Sequence, residues 1–308
     1  MNWTCIAVTG QPAIMELTLR GLFTPLITPF TASGDVAADA LEALAHTVLD
    51  AGAAGLVALG TTAEASTLTA AERRAVLDTC ARVARARGVP LIAGAGSNDT
   101  AGSAAALRGL AEWPEIAAAL VIVPYYTRPS EDGVVAHFTR LADESPVPLI
   151  VYNIPYRTSR ILSGQTLLRL AAVPGIAGMK HAPGGIDAGT LTLMTSVPDR
   201  FAILGGDDAF VSPLLALGAA GGILACSHVR TADFAALIGA WHSGDVTRAR
   251  ALTRTVIPLA QALMAEPNPA VIKGVLHAQG VIPSPAVRLP LLPAGRARVD
   301  AALALAAG

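Results

Sequence analysis

Lysine is nearly absent from this chain of 308 residues, because Lys180 and Lys273 are the only two lysines among 22 basic side chains. Cysteine is scarce as well: Cys5, Cys80 and Cys226 are odd in number, far apart, and form no Cys-x-x-Cys pair. This usage argues against a disulfide framework and against a structural zinc site, and it favours a reducing cytoplasm. The rarity of lysine makes both lysines candidates for a specific role.

A strong charge of either sign and long apolar runs are also lacking. The net charge is −1, whereas a nucleic-acid-binding protein should have a basic face, so nucleic acid is not an expected partner. Although 53% of the residues are hydrophobic, which excludes a disordered chain, no run reaches the roughly 18 uninterrupted apolar residues that a membrane span needs. Residues 1–14 lack the basic start of a secretion signal. They are predicted to be an upstream-start extension, and 1–20 an N-terminal extension.

Short apolar runs alternate with helix-like runs along most of the chain. Continuous apolar runs, rather than alternating ones, are typical of parallel strands that are covered on both faces. Eight such units over about 220 residues predict a fold of the α/β class, a (β/α)8 TIM barrel over 21–243. The predicted strands are 22–28, 55–59, 90–94, 118–123, 148–152, 176–180, 201–205 and 221–225. The predicted helices lie near 38–51, 70–87, 100–112, 131–144, 163–172, 187–196, 208–218 and 231–242.

The alternative architecture is a doubly wound sheet. Such a sheet usually has fewer strands and a glycine-rich first turn, and no such turn follows Thr28. After the eighth unit, further helices are predicted near 245–264, 268–279 and 294–306, with proline-rich breaks between them. They predict a C-terminal helical subdomain over 244–308 that is appended to the barrel without a linker.

Two rare residue types end neighbouring strands of the predicted barrel, where the active sites of such barrels lie. Lys180 closes an apolar strand, so its amine should lie inside the barrel, where a neutral amine could attack a carbonyl and form a Schiff base. The alternative is a lysine that extends from the mouth into water. Tyr152 ends the preceding strand, and its phenol could pass protons beside an iminium. The alternative is an ordinary tyrosine at the rim.

Other polar residues follow the strands. Thr61 and Thr62 offer hydroxyls suited to a carboxylate or to a proton relay, or they simply cap a helix. Arg157 offers a planar fork suited to a substrate carboxylate, or it forms a surface ion pair. Asp207 and Asp208 are expected to cap the helix that follows them.

Two patterns that could indicate a cofactor are incomplete. Residues 94–99 resemble half of a dinucleotide-binding fingerprint but lack its third glycine. Four possible metal ligands follow no standard spacing: Cys226, His228, His181 and Asp207. Neither a nucleotide nor a metal is predicted, so no cofactor is expected.

Taken in order, the motifs at the strand ends resemble those of the dihydrodipicolinate synthase/N-acetylneuraminate lyase family of class I aldolases. The resemblance extends from about residue 21 to residue 293. It depends on Gly60-Thr61-Thr62-Ala63-Glu64, Pro124-Tyr125-Tyr126-Thr127-Arg128-Pro129, Tyr152-Asn153-Ile154-Pro155-Tyr156-Arg157-Thr158, Gly178-Met179-Lys180, Gly206-Asp207-Asp208 and Glu266-Pro267-Asn268-Pro269.

The resemblance implies a role for each matching residue. Lys180 is similar to the lysine that captures pyruvate as a Schiff base, and Tyr152 to the phenol that transfers protons. Thr61 and Tyr126 resemble its relay partners, with Tyr126 reaching across a dimer interface into the neighbouring subunit's site. Thr62 is similar to the group that holds the pyruvate carboxylate.

On the second-substrate side, Arg157 resembles the arginine that binds the carboxylate of aspartate semialdehyde in the synthases. Gly206 and Ile223 match positions beside the substrate, the latter through its backbone. The chain departs from the family pattern in this region: Ala63, Tyr156, Ser159, Arg160 and His181 are the departures.

Three functions follow from the sequence. The first is a lyase that makes 4-hydroxy-tetrahydrodipicolinate from pyruvate and L-aspartate 4-semialdehyde, in lysine and diaminopimelate biosynthesis. The second is a paralogue that uses another aldehyde or a 2-keto sugar acid, and the third is a non-catalytic 2-oxoacid-binding protein. The family resemblance also implies a homodimer or homotetramer. Lysine feedback is not expected, because Gly102 and Arg73 stand where lysine-inhibited members have a glutamate and a histidine. The alternative is that Asp99 reaches the same spot from the loop before Gly102.

Overall fold

A computed structural model describes residues 18–307, in which eight strands alternate with helices along the chain. The strands are β1 (Gly21–Pro25), β2 (Gly55–Ala58), β3 (Leu91–Gly94), β4 (Ile116–Ile122), β5 (Leu149–Asn153), β6 (Ile176–His181), β7 (Ala202–Gly205) and β8 (Gly221–Ile223). The helices are α1 (Ala38–Asp50), α2 (Ala70–Arg87), α3 (Thr100–Gly109), α4 (Glu131–Glu144), α5 (Pro155–Thr158), α6 (Gly164–Ala172), α7 (Ala188–Ser196), α8 (Val211–Ala216), α9 (Thr231–Ser243), α10 (Val246–Leu263), α11 (Ala270–Ala278) and α12 (Arg296–Ala307).

The eight strands form one closed parallel barrel, in which each strand pairs with its neighbour in sequence and β8 pairs with β1. The predicted (β/α)8 barrel is therefore confirmed, and the doubly wound alternative is wrong, because an open sheet would leave two edges unpaired. The helices that follow the strands cover the outside of the barrel.

The strands are apolar on both faces because each face packs against a different layer of the core. One layer fills the interior of the barrel, and a larger one lies between the strands and the helices. A fully buried leucine or phenylalanine stabilises such a core by roughly 1.5–3 kcal/mol. The interior layer contains Leu19, Phe23, Val57, Ile92, Ala118, Leu120, Ile150, Tyr152, Ile154, Ala182, Leu204 and Ile223.

Several predicted element bounds differ from those in the structure. The strand predicted over 22–28 ends at Pro25, and the helix predicted over 208–218 is confined to α8, which follows a 3₁₀ turn at Asp208–Phe210. The helix predicted over 100–112 is α-helical only to Gly109. Helix α5, a single turn that begins at a proline suited to a helix start, was not predicted.

The C-terminal helices α10 to α12 pack on the outer layer of the barrel, which includes residues from both parts of the chain. The division at 243/244 stays a prediction. Leu19 is buried in the barrel interior, whereas the predicted extension at 1–14 lies outside the described residues. Over residues 18–307, no helix combines the length and the apolar character that crossing a bilayer requires.

Candidate active site

Lys180 lies inside the barrel, near the end of β6, and only 6% of it is exposed. The pairing of strands places it between Tyr152 of β5 and Leu204 of β7, two members of the interior layer. Its Nζ atom is 4.3 Å from the centroid of the Tyr152 ring. The predicted burial of Lys180 and its convergence with Tyr152 are confirmed, while the catalytic roles of both stay predictions.

Gly206 provides the space that the Lys180 side chain occupies. A Cβ atom added at Gly206 would lie 2.9 Å from both Cγ and Cε of Lys180, closer than non-bonded carbons approach. Ile223 is fully buried on β8 in the same interior layer as Tyr152. The structure thus places both predicted substrate-side residues around the barrel interior, and Gly206 directly against the candidate nucleophile.

Thr61 and Thr62 lie in a 3₁₀ turn, Thr61–Ala63, which two residues separate from the end of β2. Thr61 is exposed, whereas Thr62 is buried and its Oγ1 accepts a hydrogen bond of 3.0 Å from Nδ2 of Asn268. The alternative role of helix capping is wrong, because the cap of the next α-helix is Thr69, which forms a capping box with Glu72. Both hydroxyls are therefore free of a capping role.

Asp207 and Asp208 do not cap the following helix, so that prediction is wrong. Asp208 instead accepts a hydrogen bond of 2.7 Å from the backbone N–H of Cys226, and Asp207 accepts one of 2.6 Å from that of Gly184. Closure of the barrel brings the loop after β8 to Asp208, and this contact has no local sequence signal. Burial raises the pKa of Asp207, and it raises the pKa of Asp208 to about 6 even though the charge of Lys180 opposes both shifts.

Arg157 and Tyr156 lie in α5, on the exposed side of the site. The Arg157 guanidinium is 5.5 Å from the centroid of the Tyr156 ring. Among the described residues no ion pair includes Arg157, so the alternative of a surface ion pair is not realised there. Its guanidinium therefore stays available to a ligand.

A cleft of about 1130 Å³ opens at the mouth of the barrel and extends along α2 and α3. Thr61, Tyr152 and Arg157 line it together with Tyr125, so it brings four of the motif residues to one surface. Lys180 does not line this cleft itself, but its Nζ contacts the ring of Tyr152, which does.

Within one chain, Tyr126 is not among the residues that line the cleft. It is 87% exposed, in the loop after β4, with a left-handed backbone (φ 68°). That conformation is uncommon for a bulky residue. Its predicted contribution to a neighbouring subunit stays a prediction.

His181 points away from Lys180, toward the helices. Its Nδ1 pairs with the Asn153 side-chain amide at 3.3 Å and its Nε2 with the Thr190 hydroxyl at 2.9 Å, and burial lowers its pKa to about 4. Both ring nitrogens of His228 are also engaged, with Ile27 N–H and Ala225 C=O. Within residues 18–307, no three His, Cys, Asp or Glu side chains are grouped closely enough to hold a metal.

The comparison with known proteins decides the family. The model of the dihydrodipicolinate synthetase family matches residues 18–305. The chain belongs to this family. A related protein, the 4-hydroxy-tetrahydrodipicolinate synthase of Sorangium cellulosum (strain So ce56), is 42% identical over 284 residues, 92% of this chain and 93% of that protein. The family that the motifs predicted is thereby confirmed.

Solved structures of dihydrodipicolinate synthases have the same fold as this family member. The enzyme from Thermotoga maritima superposes with a TM-score of 0.89 at 29% identity, covering 94% of this chain and 98% of that one. The chloride-inhibited synthase from Acinetobacter baumannii, complexed with pyruvate, has a TM-score of 0.89 at 32% identity, covering 94% and 99%.

Sequence reasoning missed a second cluster beside the site of this synthase-family chain. Lys273 is fully buried and forms an ion pair of 2.5 Å with Glu64, which follows the Thr61–Thr62 turn. The side chain of Asn268 contacts Thr62, and the backbone N–H of Arg288 donates to Glu64 at 2.8 Å. The available signal was the rarity of lysine together with the motif positions Glu64 and Asn268, but no spacing links residues so distant in sequence.

Proposed function

We propose that this protein condenses pyruvate with L-aspartate 4-semialdehyde to 4-hydroxy-tetrahydrodipicolinate, through a Schiff base on Lys180. The observation that supports it most is the buried Lys180 amine over the ring of Tyr152, at the end of the strands where barrel enzymes bind substrates. The family membership, the name of the Sorangium relative and the pyruvate complex of the Acinetobacter relative support the same chemistry.

The first half of the reaction captures pyruvate. The neutral amine of Lys180 attacks the ketone carbon, and loss of one water molecule gives a protonated imine. Transfer of a proton from the pyruvate methyl group then gives an enamine, whose carbon is the nucleophile. Tyr152 is the proposed proton carrier because its side chain lies beside the Lys180 amine.

The second half joins the two substrates. The enamine carbon attacks the aldehyde, whose oxygen takes up a proton and becomes the hydroxyl group of the product. The amino group of the semialdehyde then attacks the imine carbon, which closes the ring and releases Lys180. Overall, the two substrates lose one water molecule.

The remaining polar residues are proposed to hold the two carboxylates. The Thr62 hydroxyl is buried next to Asn268 and is assigned to the carboxylate of pyruvate. Arg157 lines the cleft, forms no ion pair among residues 18–307, and is assigned to the carboxylate of the semialdehyde. Thr61 and Tyr126 are proposed to relay protons between Tyr152 and solvent, with Tyr126 supplied by a neighbouring subunit.

A second candidate keeps the pyruvate chemistry and changes the other substrate. It is favoured by one observation: Tyr156 is 81% exposed beside Arg157, in a region where the chain departs from its family pattern. An aldehyde of different size or a 2-keto sugar acid would then be the substrate. We further propose that the enzyme acts in the cytoplasm as a homodimer or homotetramer, which light scattering of the purified protein would measure.

Borohydride trapping tests the Schiff base, and turnover assays then test the choice of the second substrate. Reduction in the presence of pyruvate should add one pyruvate-derived mass to the peptide that contains Lys180, and Lys180→Ala should abolish this adduct and lower turnover by several orders of magnitude. An adduct on the Lys273 peptide, or none at all, would contradict the mechanism. Turnover of pyruvate with a panel of aldehydes then separates the two candidates, since only the first requires aspartate semialdehyde.

A further inference from the structure

The turn that follows β2 is bound by residues that lie more than 200 positions later in the chain. Asn268 donates a hydrogen bond from Nδ2 to Thr62 Oγ1, across 206 residues of sequence. Lys273 donates to Glu64 across 209 residues, and the Arg288 backbone donates to the same carboxylate across 224. The C-terminal segment thus contacts both Thr62 and the residue that ends its turn.

The Glu64–Lys273 pair is almost completely shielded from water. The Lys273 side chain is fully buried and that of Glu64 almost so, and Lys273 donates a second hydrogen bond of 2.9 Å to the Ala286 carbonyl. The Lys273 ammonium also lies 4.0 Å from the centroid of the Phe30 ring. Removing one partner of such a pair leaves an uncompensated buried charge, so each partner fixes the position of the other.

The turn needs this external support because its own backbone is unfavourable. Leu59 and Glu64, one on each side of it, both adopt left-handed conformations, with φ values of 54° and 53°. Such conformations persist in residues other than glycine only where surrounding contacts enforce them. Besides the C-terminal segment, the Thr28 hydroxyl contributes one such contact, by donating to the Ala63 carbonyl at 2.7 Å.

The direction of the Asn268 hydrogen bond has a chemical consequence. Since Thr62 Oγ1 accepts from Asn268, the hydroxyl proton of Thr62 stays available for donation to another group. A carboxylate accepts hydrogen bonds and has none to donate, so this arrangement suits an anionic ligand. If residue 268 instead presented a hydrogen-bond acceptor, the Thr62 hydroxyl would donate its hydrogen bond to that residue and not to the ligand.

We infer that Asn268 and the Glu64–Lys273 ion pair are positioning residues that direct the Thr62 hydroxyl at the carboxylate of a bound 2-oxoacid. This inference rests on the proposed function for the identity of the ligand. The positioning itself is a property of the free protein and can be measured without substrate.

The first test compares two substitutions of Asn268. Asn268→Ala removes the donor, and Asn268→Asp replaces it with an acceptor of the same shape that also repels an anion. The KM for pyruvate should rise about tenfold in Asn268→Ala, because the misdirected Thr62 hydroxyl loses its charge-assisted hydrogen bond to the carboxylate. It should rise further in Asn268→Asp. If both variants keep the wild-type thermal midpoint and a pyruvate KM within twofold of wild type, the inference is overturned.

The second test measures backbone amide exchange in the free protein. Glu64→Gln removes one charge of the buried pair. The variant should still fold, because burial already lowers the pKa of Lys273 to about 8 and its ammonium can therefore lose its proton. Exchange in residues 59–67 should rise about tenfold in this variant. An equal rise across the whole barrel would assign the pair a general structural role only and would overturn the inference.

A control variant in another C-terminal helix and a measurement on the wild-type protein complete the design. Thr253→Val removes a hydrogen bond between α10 and Ser212, away from the turn, and should leave both readouts unchanged. If pyruvate labels none of the wild-type protein after borohydride reduction, the proposed function fails. Amide exchange of residues 59–67 in Glu64→Gln would still show whether the ion pair positions the turn, because that measurement needs no substrate.

Discussion

Lys180 and Tyr152 are paired across β6 and β5, and the Lys180 Nζ atom lies 4.3 Å from the centroid of the Tyr152 ring. The ring face attracts a cation, and the protonated imine of the proposed mechanism is a cation. The two parts of Tyr152 therefore have separable proposed uses: the ring would stabilise the charged intermediate, and the hydroxyl would transfer protons.

Tyr152→Phe separates these two uses, because it keeps the ring and removes the hydroxyl. We expect pyruvate to be trapped on Lys180 to the same final extent, while turnover falls at least about 100-fold, the range of general acid–base catalysis. Tyr152→Leu should reduce the trapped fraction as well. Wild-type turnover in Tyr152→Phe would show that the phenol transfers no proton.

Gly206→Ala is expected to displace the Lys180 side chain. The added Cβ would lie 2.9 Å from Lys180 Cγ and Cε, so the buried amine must shift, and borohydride trapping by pyruvate should slow about tenfold or more. The matched control is Gly239→Ala in α9, where an added Cβ meets nothing within 4 Å. That variant should trap pyruvate at the wild-type rate and gain about 0.5–1 kcal/mol of stability.

Arg157→Ala should distinguish the two substrates. If the guanidinium binds the carboxylate of aspartate semialdehyde, the KM for the semialdehyde rises about 10–100-fold, and the KM for pyruvate changes little. Steady-state kinetics with each substrate varied in turn measures both constants. Equal effects on the two substrates would make Arg157 a structural residue.

Lysine is not expected to inhibit this enzyme at millimolar concentrations. Arg73 and Gly102 line the same cleft as Tyr125, and a bound lysine there would meet a like charge and no carboxylate from residue 102. The Asp99 carboxylate does reach this spot, since a Cβ atom added at Gly102 would lie 2.7 Å from its Oδ2, but it already accepts hydrogen bonds from the N–H groups of Ala101 and Gly102 at the start of α3. A steady-state titration with L-lysine checks this, and partial inhibition would contradict it.

The stability of the protein should fall in acid partly through Glu72. A hydrogen bond from Arg288 and one from the Thr69 backbone lower the pKa of Glu72 from 4.5 to about 2. The carboxylate therefore contributes stability above pH 4.5, and this contribution, of the order of 1–3 kcal/mol, is lost as the pH falls from 4.5 towards 2. Between these pH values, the free energy of unfolding of Glu72→Gln, measured with denaturant, should depend less steeply on pH than that of wild type.

The barrel could be predicted because its strands are continuous apolar runs, a pattern typical of parallel strands that are buried on both faces, and because eight such units alternate with helices. The meeting of Lys180 with Tyr152 followed from the barrel, since neighbouring strands end at the same mouth. The exact ends of elements such as β1 and α8 could not be predicted, because prolines and short 3₁₀ turns decide them locally.

The contacts around Glu64 could not be predicted for a different reason. A buried ion pair has no periodic signature, and Lys273 lies on an apolar helix whose sequence gives no indication of its partner. In the same way, the partner of Asp208 is the backbone of Cys226, which only closure of the barrel brings within 2.7 Å. Tertiary contacts, rather than local preferences, determine these positions.

The hydrogen bond between Asn268 and Thr62 also orders events during synthesis of the chain. A ribosome makes β2 and its turn early, but the side chain that binds the Thr62 hydroxyl appears 206 residues later, and Arg288 later still. At about 5–20 residues per second, this interval is at least about ten seconds. For most of its translation a nascent chain therefore lacks the contacts that hold this turn, even after several strands have left the ribosome.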